Sequence, residues 1–109
     1  MNKQDNKKIQ DLQFLEQNLQ HLFLQKQAFQ LELNETTAAL KELKGSGNEV
    51  FKLIGQIMIK TDKENIQINL QDKEKMLELR IKSIEEQENS LFEKVSNLRE
   101  ELIENNSKK

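Results

Sequence analysis

Stepping alternately three and four residues from Leu12 lands on Leu15, Leu19, Leu22, Lys26, Phe29, Leu33, Thr36, Leu40 and Leu43. Eight of these ten positions are apolar, the exceptions being Lys26 and Thr36. A stripe sustained over this length at a mean spacing of ~3.5 residues is a coiled-coil seam rather than a merely amphipathic face. A second stripe runs through Leu70, Glu74, Leu77, Ile81, Ile84, Glu88, Leu91, Val95, Leu98 and Leu102, again with eight apolar members. The pattern predicts two long helices, over about 6–44 and 62–105. Lys44-Gly45-Ser46-Gly47 is expected to stop the first, a glycine supplying the left-handed residue that closes a helix. Thr61-Asp62-Lys63-Glu64 has the spacing of a capping box, with Thr61 and Glu64 satisfying each other's backbone donors. Near-equal lengths and a short connection imply an antiparallel helical hairpin.

Between the helices the period changes. In VFKLIGQIMIK, residues 50–60, seven of eleven residues are apolar. Gly55-Gln56 in its middle reads as a two-residue type II′ turn joining two strands, a β-hairpin over about 50–61. That register opposes Ile54 to Ile57, Lys52 to Ile59 and Val50 to Thr61 on one face, and Leu53 to Met58 and Phe51 to Lys60 on the other. Both faces are largely apolar, and each helix already spends its one stripe on the other helix. A lone two-stranded hairpin is marginal in water and has open edges. Val50, Phe51, Leu53, Ile54, Gly55, Ile57, Met58 and Ile59 are therefore expected to be an oligomerisation element, closing with hairpins of other subunits into a shared sheet or barrel.

Composition narrows the function classes. Of 109 residues, 35% are hydrophobic and 33% charged, with no Pro, Cys, Trp or Tyr. This is too poor in large apolar residues for an ordinary globular core and suits one domain, 1–109, made of long helices. No apolar run approaches the ~20 residues needed to cross a bilayer, and MNKQDNKKIQ lacks the apolar stretch of a signal peptide. The absence of cysteine fits a reducing setting, and a cytoplasmic location is expected. Residues 1–43 carry 5 basic and 6 acidic side chains, and residues 62–109 carry 9 and 12. Neither arm offers the basic stripe that nucleic acid requires. His21 is the only histidine, so His-based metal or nucleophilic chemistry has no partners. The carboxylates of Glu85-Glu86-Glu88 and Glu100-Glu101 have no cleft to perturb them. Neither catalytic residues, nor a metal site, nor a cofactor is expected, and the chain is not expected to be an enzyme.

The order helix, VFKLIGQIMIK hairpin, helix resembles a prefoldin subunit of the β type. The likeness rests on Phe51-Lys52-Leu53-Ile54-Gly55, on the strand Ile57-Met58-Ile59-Lys60, and on LELRIKSIEEQE from Leu77 to Glu88. It spans about residues 10–104, and one hairpin rather than two fits the β type. The resemblance implies a mainly α fold, a long antiparallel two-helix coiled coil whose single hairpin completes an intersubunit β-barrel. It further implies a hexamer of two α-type and four β-type subunits. Such a complex captures non-native polypeptides at the coiled-coil tips without ATP and delivers them to a group II chaperonin. On that reading the client-contact candidates near the termini are Ile9, Phe14 and Ile103, beside the seams, together with Leu12 and Leu102, which the seams also claim. Phe23, Leu24, Leu31 and Phe92 are off-seam as well, further from the termini. The alternative is a structural coiled-coil adaptor without client-holding activity, which explains the seams but has no use for residues 50–60.

Overall fold

A computed structural model describes residues 3–47, 49–54 and 57–107 of the chain. In chain order the elements are α1 (Lys3–Lys44), β1 (Glu49–Ile54), β2 (Ile57–Asp62) and α2 (Lys63–Ser107). The sequence pattern placed every element correctly in kind and underestimated the helices by two or three residues at the chain ends. Those ends lie outside the leucine stripes, so periodicity could not reach them. β1 and β2 pair antiparallel in the expected register, from Glu49 opposite Asp62 to Ile54 opposite Ile57. The expected turn at Gly55-Gln56 lies outside the described residues, as do the side chains of Phe51, Leu53 and Ile54.

The chain divides into two compact units, Met1–Gln27 with Lys82–Lys109, and Ala28–Ile81. In the first, the seam residues Ile84 and Val95 are buried, and Leu12, Leu15, Leu19, Leu22, Leu91, Leu98 and Leu102 are half-buried. Ion pairs flank this seam, Lys8 to Glu101 at 3.3 Å and Arg99 to Glu16 at 2.6 Å. Further toward the termini Asp5 is buried, and its Oδ1 accepts a bond from Asn105 Nδ2 at 3.2 Å. The pairing of α1 with α2 in this unit thus outlasts the leucine pattern by a polar layer.

In the second unit Leu43, Leu77 and Ile81 are buried, and Phe29, Leu33, Leu40 and Leu70 are half-buried. Full burial of one such aliphatic side chain stabilises by about 1.5–3 kcal/mol. The Arg80 guanidinium lies over the Phe29 ring, 5.5 Å from its centre, a cation–π contact. Thr36, polar at a buried position, donates its hydroxyl to the Glu32 carbonyl of its own helix at 2.8 Å. All twenty seam positions expected from the sequence are buried or half-buried.

Two helix ends depart from expectation. Gly45 and Gly47 both lack a left-handed backbone. α1 instead closes through Gly45 N to Glu42 O at 3.1 Å and Ser46 N to Leu43 O at 3.2 Å, bonds spanning three residues, with the Ser46 hydroxyl donating to Leu43 O at 2.8 Å. The serine takes over the capping expected of the glycines. At the start of α2 the cap is Asp62 rather than Thr61, since Asp62 Oδ1 accepts from the Glu64 backbone N–H at 3.2 Å. Asp62, the last residue of β2, stands immediately before the first helical residue Lys63, which is the N-cap position, whereas Thr61 lies one residue too early.

Candidate functional site: an apolar hairpin and a coiled-coil groove

The hairpin belongs to the second unit. Ile57 and Met58 are 67% and 69% exposed, and Ile59 is 45% exposed. Alternation along a strand sends Ile57 and Ile59 to one face and Met58 to the other, so β2 shows apolar surface on both. Val50 is half-buried. It lines an open groove of about 450 Å³ with Ala39, Glu42, Leu43, Ser46, Ile66 and Leu70. Lys63 Nζ ties the base of the hairpin to the end of α1 by donating to the Ser46 carbonyl at 2.9 Å. The exposed strand is thereby anchored to the helices at its root while its apolar side chains stay uncovered.

A second apolar surface lies in the first unit, near the chain termini. Asp11, Phe14 and Leu15 of α1 face Lys94, Asn97 and Leu98 of α2 across an open groove of about 390 Å³. Both helices contribute residues at i, i+3 and i+4, the spacing that brings side chains onto one face. Leu15 and Leu98 are the seam residues at its floor. Phe14 stands at the side, 64% exposed. The polar members Asp11 and Lys94 carry opposite charge at the rim.

The candidates read from the sequence divide accordingly. Phe14 and Ile103 are exposed, Ile9 is half-buried, and Leu12 and Leu102 are half-buried in the seam. Phe14 alone of the five lines the groove. Lys94, Asn97, Leu15 and Leu98 were not singled out as contact candidates. The available signal was an aromatic residue immediately before a seam leucine, at a level where the opposite helix has only Asn and Lys beside its own seam. Among the described residues, no group of three or more His, Cys, Asp or Glu is placed to hold a metal ion. Likewise no helix among them is long and apolar enough to cross a membrane.

Comparison with known proteins agrees with the helix–hairpin–helix architecture. A family model described as "Prefoldin subunit" matches residues 6–109. The prefoldin subunit beta of Sulfurisphaera tokodaii is 36% identical over 95 residues, covering 85% of this chain and 76% of that protein. The prefoldin subunit beta of Thermococcus onnurineus is 37% identical over 93 residues, 84% and 80% of the two chains. Among solved structures, the prefoldin beta subunit from Thermococcus strain KS-1 is similar with a TM-score of 0.85 and 33% identity. That match covers 93% of this chain and 90% of the other.

Proposed function

Because the chain belongs to the prefoldin subunit family, we propose that it is the β-type subunit of a non-enzymatic, ATP-independent chaperone in the cytoplasm. It assembles with other subunits through its hairpin, as one of four β-type chains around two α-type chains. All 109 residues serve as a single domain in that complex. Non-native polypeptides are held at the coiled-coil ends and passed to a group II chaperonin. Ile57, Met58 and Ile59, with Val50, Phe51, Leu53, Ile54 and Gly55, form the assembly element. Phe14, Ile103 and Ile9 contact the client, and Leu12 and Leu102 support them from the seam.

The observation that carries the holding role is the groove beside Phe14. A holdase must meet many sequences, so it needs shallow apolar surface bordered by polar groups rather than an enclosed pocket. An exposed aromatic over a leucine floor, with Asp11 and Lys94 at the rim, has that character. Adding or removing one apolar side chain from a client then changes its affinity only modestly, which suits transient holding. The test is Phe14→Ser in the assembled complex, scored by suppression of aggregation of a chemically denatured client. Weaker suppression at unchanged complex mass is expected. Unchanged suppression would move the client surface elsewhere.

A further inference from the structure

Four polar residues interrupt the two leucine seams, and two of them meet. Lys26 Nζ lies 2.7 Å from Glu88 Oε1, with the Glu88 side chain 8% exposed and that of Lys26 29%. The other two do not join seam to seam: Thr36 bonds to the Glu32 carbonyl of its own helix, and Glu74 accepts from Thr37, one residue off the seam. We propose that the Lys26–Glu88 pair is a register lock. It selects one axial alignment of α1 against α2 from several that the leucine-rich remainder of the seams would accept nearly equally.

Leucines repeating every heptad present almost the same knobs after a slip of seven residues, so aliphatic packing discriminates weakly between alignments. A mid-seam ion pair discriminates strongly, because a slip buries each charge against aliphatic side chains. In one direction Lys26 would face Val95, and in the other Glu88 would face Leu19. Separating a largely buried pair leaves uncompensated charge, whereas replacing both members with apolar residues is often neutral or stabilising. The pair is thus better explained as selecting an alignment than as adding stability.

The connection does not impose the alignment by itself. α1 ends through two three-residue bonds and a serine hydroxyl, and neither Gly45 nor Gly47 has the left-handed backbone that stops a helix firmly. A slip would break these short-range bonds and the one from Lys63 Nζ to the Ser46 carbonyl, but no glycine-fixed stop. The alignment matters for the groove near the termini, where Leu15 lies with Leu98. A slip of one heptad would bring Leu91 or Asn105 to the place of Leu98. Only this consequence for client holding rests on the function proposed above; the lock itself does not.

The experiment measures alignment directly. Gln13→Cys and Ser90→Cys place nitroxide labels at two exposed positions, in a chain that otherwise has no cysteine. The labelled chain is diluted with unlabelled chain so that only distances within one molecule are read by pulsed electron–electron resonance. The labels are offset along the helices, so a one-heptad slip changes their axial separation by about 10 Å. The parent chain should give one narrow distance. Lys26→Leu with Glu88→Leu should keep its helicity, melt no lower, and acquire a second distance population. Lys26→Glu with Glu88→Lys should return to a single one. The lock is overturned if the doubly apolar chain keeps the single parental distance or loses its helicity. A charge-swapped chain as heterogeneous as the apolar one would overturn it too.

Discussion

Leu77 and Ile57 are aliphatic residues of the same compact unit, yet Leu77 is 1% exposed and Ile57 is 67% exposed. The difference lies in how many surfaces each element must cover. A seam helix has one apolar stripe, and a single partner helix in the same chain suffices for it. A two-stranded hairpin has two faces and two open edges, and α1 and α2 have no second stripe in register to give it. The seams of the helices are therefore covered within one molecule, while Ile57, Met58 and Ile59 of the hairpin are left exposed. On the function proposed above, that contrast is what makes the chain an assembling subunit rather than a self-sufficient coiled coil.

The contrast can be broken from the helical side first. Leu77→Ala should cost about 2–5 kcal/mol, read as a lower urea midpoint of helix unfolding. A loss below 1 kcal/mol would mean that the seam is not the main source of stability. Glu88→Ala should come next, at about 1–3 kcal/mol, because it strands Lys26 in a half-buried position without its acceptor. Glu16→Ala removes a pair of nearly the same length, 2.6 Å to Arg99, but with both side chains largely exposed. It should cost less than about 1 kcal/mol and lose even that at high salt. Equal effects of the two substitutions in a denaturation series would contradict the role assigned to burial. Smallest and opposite in sign is Gly45→Ala. A new Cβ there meets only Glu42 O at 3.7 Å, on a backbone that needs no glycine. It should stabilise by about 0.4–1 kcal/mol through the unfolded chain, measured as a raised thermal midpoint.

Much of this was legible in the residues. The heptad stripes located every seam side chain, and the Gly-Gln between two aliphatic runs fixed the strand pairing from Val50–Thr61 to Ile54–Ile57. What escaped was whatever depends on two distant segments meeting. That Lys26 and Glu88 oppose each other cannot be read from either stripe alone, since each looks like an isolated defect. The groove beside Phe14 is formed jointly by Leu15 and Leu98, 83 positions apart in the chain. The local errors have local causes: Ser46 outcompeted two glycines at the end of α1, and Asp62 outcompeted Thr61 at the start of α2. In both cases a neighbouring side-chain oxygen makes the bond to the helix end, Ser46 Oγ to Leu43 O and Asp62 Oδ1 to Glu64 N–H.

The role of the hairpin is read by native mass determination of a chain carrying Ile57→Asp with Ile59→Asp, co-expressed with an α-type subunit, alongside its far-ultraviolet circular dichroism. Two charges on one exposed strand face should leave the helical signal within about a tenth of the parent value, since seams and hairpin are stabilised independently. The same chain should no longer enter a large complex and should run as a monomer or small oligomer. A hexamer-sized complex formed by this variant would show that assembly does not need the hairpin that one chain leaves uncovered.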